Sequence, residues 1–257
     1  MQSLYGAIAN TNKKEIMVGI DDVYQKVLAI ANKEQRGYIT PQEFNLFADQ
    51  AQMTIFDQYF YDLNQLKRRP TNEVEYSDPI EIINNKLYLF KDTTPLQDGK
   101  DLNSIHNYNG VSLFYMLSDV YYTESAAGKA PVVVEQVDHF DFIKTEGSPL
   151  TKATTSRPIY VIRNNKIYLR PSNMPDGGYH GYYIRKPKKP NWTYFISQSN
   201  ALYNSDASDL QDFELHASEE NNLVVKILQL AGVAMKDYNL VQAAGQEEIK
   251  QVQQEKQ

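Results

Sequence analysis

The segment NKEQRGYITPQEF, residues 32–44, admits two folds. With Gly37 at the sixth position of a twelve-residue EF-hand loop, Asn32 takes the first position, Glu34 the third, Ile39 the eighth and Glu43 the twelfth, with Phe44 following. Calcium needs oxygen ligands at positions 1, 3, 5, 7, 9 and 12. Here position 5 is Arg36, Lys33 adds another cation, position 10 is Pro41, and the sequence offers no second hand to pair with the first. The other reading takes the same letters as a corner between two helices. Thr40 is then an N-cap, Pro41 stands at the first helical position, and Glu43 reaches back to the Thr40 amide to complete a capping box. Gly37 supplies the left-handed residue that ends the preceding helix. The corner explains more of the letters, so neither calcium nor another metal is expected.

Both sides of the corner are helical in pattern. Upstream, DDVYQKVLAIANKE places Val23, Val27, Ile30 and Ala31 on one helix face, with Asp21 and Asp22 at its N-terminal end. Downstream, Phe44, Phe47, Ala51, Ile55, Tyr59 and Leu63 recur at three- and four-residue steps, which predicts a long amphipathic helix ending near KRRP, where Pro70 forbids continuation. From about residue 74 to 200 the vocabulary becomes that of strands. EIINNKLYLF and YVIRNNKIYLRP each carry Asn-Asn-Lys between β-rich runs, at 84–86 and 164–166, and read as hairpin turns. VSLFYMLSDVYYTE, APVVVEQV and GGYHGYYIRKP read as further strands. The chain then returns to helix: Ser218 is the expected N-cap, Glu219 and Glu220 its acidic first turn, Asn239 its end, and VQAAGQEEIKQVQQEKQ a short terminal helix. The predicted class is α+β: a helical bundle of N- and C-terminal helices (20–70 and 205–257) carrying a β-rich insertion (74–200).

Composition limits the chemistry. The 257 residues include no cysteine, which excludes thiolate nucleophiles, disulfides and cysteine-ligated zinc. A net charge of −6 argues against a dedicated nucleic-acid coat. The opening MQSLYGAIANTNKKEIMVGI lacks the pattern of a signal peptide, and no run approaches the ~20 apolar residues of a membrane span, so a protein made in a cytoplasm is expected. The 19 tyrosines suit extensive protein–protein contact, because tyrosine brings large area with a polar tip. His106, His139, His180 and His216 stand in different segments without metal-ligand spacing. HFD at 139–141 and HASE at 216–219 are the only His–carboxylate neighbours to consider, and surface histidines explain them as well. No nucleophile elbow, P-loop or dinucleotide fingerprint occurs, so no enzymatic activity and no cofactor are expected.

The most distinctive local feature is GYYIRKPKKPNW, residues 181–192. Arg185, Lys186, Lys188 and Lys189 cluster between Tyr182, Tyr183 and Trp192, the only tryptophan. Basic residues interleaved with aromatics track a phosphate backbone and stack bases. The same letters also describe a strand leaving through a polyproline-like segment that docks Trp192 on the core. These seven residues are the candidate interface or lumen contacts.

Residues 31–60 (ANKEQRGYITPQEFNLFADQAQMTIFDQYF), 182–192 (YYIRKPKKPNW) and 213–233 (FELHASEENNLVVKILQLAGV) together resemble virion structural proteins of crAss-like and related podovirus-type phages. The resemblance implies a non-enzymatic tail-ring or head-to-tail connector subunit, assembling with itself into a closed ring that is expected to be a dodecamer. It further implies adjacent portal or tail ring proteins as partners, genomic DNA passing through the lumen, no membrane, and a virion location after synthesis in the bacterial host cytoplasm. The alternative from the residues themselves is a nucleic-acid-contacting accessory protein using 182–192.

Overall fold

Thr40 and Glu43 close on each other as the capping box requires. The Thr40 amide donates to Glu43 Oε2 at 3.0 Å and the Thr40 hydroxyl at 2.8 Å, while the Glu43 amide donates back to Thr40 Oγ1 at 3.3 Å. The computed structural model describes residues 17–33, 39–68, 79–124, 130–172, 177–198 and 200–234. Gly37, Pro70, Asn239 and the expected terminal helix lie outside them. The Thr40 hydrogen bonds, the backbone one foremost, hold the Glu43 carboxyl below its ordinary value. A depressed carboxylate stabilises above its unfolded pKa, about 4.3, and the contribution is lost as pH falls through the folded value. Thr40→Ala is expected to cost about 1 kcal/mol at neutral pH, as loss of an N-cap does. In urea titrations the gap to wild type should narrow under acid, and calcium should not raise the melting temperature of either protein.

Two compact units divide the chain: residues up to Leu89 together with those from Pro187 onward, and Phe90–Lys186 between. In the first, α1 (Ile20–Lys33) and α2 (Pro41–Arg68) flank the corner. Val23, Val27 and Ala31 of α1 are buried, whereas Ile30, expected on the same face, is exposed. The buried stripe of α2 runs through Phe44, Ala48, Ala51, Ile55, Phe56 and Tyr59. EIINNKLYLF does not form a hairpin: Pro79–Tyr88 is a helix, α3, with Glu81 in its first turn and Lys86 in its last. Strands β11 (Tyr194–Ser197) and β12 (Asn200–Tyr203) pair as a hairpin. The last described helix, α5 (Glu220–Ala234), packs on α1 and α2. Its expected cap is displaced: a 3₁₀ turn at Ala217–Glu219 precedes it, and His216, not Ser218, is the cap, its Nδ1 accepting from the Ser218 amide at 3.2 Å.

The second unit is mainly strands. β1 (Lys91–Leu96), β10 (Gly177–Arg185), β5 (Phe114–Glu124) and β6 (Val132–Val133) form one antiparallel sheet in that order. β2 (Lys100–Asp101), β9 (Lys166–Arg170), β8 (Ile159–Arg163) and β7 (Glu135–Gln136) form another, parallel only where β7 meets β8. β3 (Asn107–Tyr108) and β4 (Val111–Ser112) make a separate hairpin. Alternation along the strands sends Leu96, Val120, Tyr122 and Tyr179 of the first sheet and Tyr160, Ile167 and Leu169 of the second into one shared core. Gly181 makes room there for two leucines: a Cβ would sit 2.7 Å from Leu96 Cδ1 and 2.9 Å from Leu117 Cδ1, so both side chains would have to shift. Ile159 and Val161 point the other way, beneath α4 (His139–Gly147), which buries Phe142 against them.

This arrangement corrects the predicted fold class. The chain is mixed α/β, with five helices and four small sheets among the described residues, and not a bundle of terminal helices around a β-rich insertion. Helix α4 belongs to the strand-rich unit, and the β11–β12 hairpin belongs to the helical one. The reason lies in what covers α2. Its polar Gln52, fully buried, and Asn45 bind the main chain of the irregular segments around Lys188 and Trp192, so extended chain covers a flank that a bundle would give to another helix.

Candidate functional site

The basic and aromatic residues of 182–192 fall into two groups, because the unit boundary lies between Lys186 and Pro187. In the strand-rich unit, β10 alternates faces. Tyr182 points outward, 47% exposed, with its ring 5.0 Å from that of Tyr121, which stacks in turn on His180 at 5.4 Å. Tyr183 points inward and is buried. Its hydroxyl donates to Asp92 Oδ2 at 3.3 Å and lies 2.9 Å from His106 Nδ1. A hydroxyl has one hydrogen, so with Asp92 as acceptor His106 Nδ1 is the donor to Tyr183. Burial, and then the Asp92 charge, push the Tyr183 hydroxyl up to about 12. It therefore stays protonated at neutral pH and cross-links Asp92 and His106. Arg185 is also buried, its guanidinium 5.7 Å from the Phe90 ring centroid and donating to the Lys186 carbonyl at 3.3 Å. Lys186 is half-buried.

In the helical unit, Lys188 acts through its backbone. Its amide donates to Glu214 Oε2 at 2.7 Å, and its carbonyl accepts from Gln52 Nε2 at 2.8 Å. Gln52 Oε1 accepts from the Glu214 amide at 2.9 Å, which closes a buried polar clamp. Lys189 is exposed. Trp192 is buried, with Tyr24 at 4.1 Å and Tyr194 and Tyr203 stacked at 5.8 and 5.9 Å between centroids. Its indole N–H donates to Asp21 Oδ1 at 2.9 Å, and Asn45 binds its amide and carbonyl at 2.8 and 3.1 Å.

Of the candidate contacts, Tyr182 and Lys189 are presented to solvent, Lys186 and Lys188 are partly so, and Tyr183, Arg185 and Trp192 are interior. Burial of their rings and guanidinium group removes those three from stacking on bases or meeting a neighbour. Each histidine also has a local place: His106 on Tyr183, His139 exposed at the start of α4, His180 on Tyr121 and His216 at its cap. Among the described residues no group of three His, Asp or Glu side chains gathers as a metal site requires. No helix among them is long and apolar enough to cross a membrane. No protein-family model and no curated protein matches the sequence.

What sequence reasoning missed is apolar surface. Phe195 and Ile196 of β11, Phe140 and Ile143 of α4, and Leu150 beyond it are large and exposed. The alternation of β11 carries this signal for Phe195, and the 3.6-residue repeat of α4 for Phe140 and Ile143, once the buried partners Trp192 and Phe142 are known.

Proposed function

We propose that this chain is a structural subunit of a phage tail-barrel or head-to-tail connector ring, closing with copies of itself around a lumen through which DNA passes. The resemblance of residues 31–60, 182–192 and 213–233 to virion proteins of crAss-like and related phages suggests the class. The observation that carries it is the apolar area left uncovered in both units: Ile196 is 74% exposed in one, and Phe140 64% and Leu150 97% in the other. Large apolar side chains left this exposed suit surfaces that other proteins cover. A ring subunit has two unlike neighbours of its own kind and therefore needs apolar surface at more than one place. Portal or adjoining tail rings would be the further partners, twelve the expected copy number, and the virion the resting place after synthesis in the host cytoplasm.

The test is direct. Electron micrographs of the purified full-length chain, with its mass in solution, should show closed rings with a central hole. A chain that stays monomeric at every concentration, and that is missing from purified particles, overturns the reading.

A further inference from the structure

Asn109 and Gly110 form the two-residue turn between β3 and β4, with φ of 49° and 81°, and both are exposed. They are the only Asn-Gly pair in the sequence. The pair suits the turn, because both central residues of a type I′ hairpin need positive φ. It also sets a side-chain carboxamide next to a backbone nitrogen whose own residue has no side chain to shield it. Neither the Asn109 carboxamide nor the Gly110 amide has a hydrogen-bond partner among the described residues.

Two other turns show what protects such a pair. Asp98-Gly99 could close the same five-membered ring, but the Gly99 amide donates to the Ile167 carbonyl at 2.8 Å. The Asp98 carboxylate is held as well, by the Leu169 amide at 2.9 Å and the Arg170 guanidinium at 3.1 Å. Asn164-Asn165 shares the left-handed backbone, yet Asn165 carries a side chain, and the β8–β9 ladder beneath the turn is five residue pairs long within a four-stranded sheet. The β3–β4 ladder has two pairs, Asn107 with Ser112 and Tyr108 with Val111, in a sheet of its own. It is closed beneath by the Leu113 amide donating to the His106 carbonyl at 2.8 Å. A two-stranded hairpin this short is marginal and opens locally at small cost.

We propose that the β3–β4 turn is a site of spontaneous deamidation, reached by opening of the hairpin. The Gly110 nitrogen attacks Asn109 Cγ and forms a new C–N bond. The bond from Cγ to the carboxamide nitrogen breaks, and that nitrogen leaves as ammonia with the proton given up by the Gly110 amide. Water then adds to either carbonyl of the cyclic imide and opens it to aspartate or isoaspartate. The attack needs the Asn109 backbone out of its left-handed conformation, so the closed turn is inert and the rate follows the open fraction. The product carries a new carboxylate. In isoaspartate it also carries one more backbone carbon than a two-residue turn accommodates, so the reaction removes the hairpin irreversibly. This inference is independent of the ring reading.

Peptide mapping by mass spectrometry tests it on the full-length protein, incubated in mildly alkaline buffer with and without urea. The mass gain of amide converted to acid should appear at Asn109 in the folded protein, with Asn164 unchanged, and Asn109→Gln should abolish it. A cross-link tests the route. The chain has no cysteine, so Asn107→Cys/Ser112→Cys introduces the only pair. Next to the hydrogen-bonded His106 and Leu113, these residues form a non-hydrogen-bonded pair, where opposed side chains are closest. Ser112 Oγ also has no hydrogen bond to lose. With the disulfide verified by thiol titration, the oxidised variant should react at least about tenfold more slowly than the reduced one, the ratio for about 1.4 kcal/mol of added opening cost. The reduced variant should match wild type. An Asn109 that stays intact in the folded protein, over a time that converts it fully in urea, overturns the site. Oxidised and reduced variants that react equally fast overturn opening as its route.

Discussion

Replacing Trp192 with alanine is expected to cost about 3–5 kcal/mol of folding stability, the range for a large buried aromatic. The side chain fills the space among Tyr24, Tyr194 and Tyr203. The loss extends beyond packing, because Tyr194 and Tyr203 anchor the β11–β12 hairpin through the indole. Trp192→Phe separates the two contributions. It keeps most of the stacking but removes the indole donor to Asp21, so a loss of about 1.5–3 kcal/mol is expected, the worth of a hydrogen bond to a charged acceptor. Urea titration followed by circular dichroism measures both. The wild-type protein offers an independent check: its single tryptophan should emit at short wavelength, resist acrylamide quenching, and shift red on unfolding. An alanine variant within 1 kcal/mol of wild type, or a quencher-accessible indole, would return Trp192 to the surface and to the list of ligand contacts.

The contrast between Trp192 and its neighbours shows where the sequence was informative. The helix corner was legible because its signals are local: Thr40, Pro41 and Glu43 act within one turn. The β8–β9 hairpin was legible for the same reason, since Asn164 and Asn165 both adopt positive φ, at 48° and 62°. The same Asn-Asn-Lys letters at 84–86 misled. There Pro79 at the start, Glu81 in the first turn and Lys86 in the last are helix signals, and burial of Leu87 decides between the two readings. A missed hairpin had the stronger cue: Asn109 and Gly110, with φ of 49° and 81°, join β3 to β4. Fold class failed because it depends on long-range hydrogen bonds from polar residues inside an apolar pattern. Gln52 looks like a helix-surface residue in sequence, yet it is fully buried and holds Lys188 and Glu214, 136 and 162 residues away. The placement of the candidate site's side chains depends on distant residues in the same way. Basic–aromatic interleaving in 182–192 is visible in the letters, whereas which face of β10 carries Tyr182 and which carries Tyr183 is set by Asp92 and His106, far off in the chain.

Lys86→Met should be nearly as damaging as loss of Trp192. The Lys86 ammonium lies 2.6 Å from Glu219 Oε1, with the side chains 18% and 3% exposed, and Asn222 donates to the other carboxylate oxygen at 2.7 Å. Breaking a buried pair from one side leaves an uncompensated charge, at a typical cost of about 3–5 kcal/mol. The pair joins α3 to the 3₁₀ turn that starts α5, so the loss should fall on the packing of that turn and not on the strand-rich unit. Hydrogen exchange resolves this: amides of 217–224 should lose protection while those of β5 and β10 keep theirs. Adding Glu219→Gln to Lys86→Met removes the orphaned charge and keeps an acceptor for Asn222, so much of the stability should return. That recovery separates an electrostatic role from simple packing of the lysine stem over Tyr59, whose ring centroid lies 5.8 Å from the ammonium. A single variant that loses under 1 kcal/mol, or a double variant no more stable than the single, means that the stem holds this corner and the charge does not.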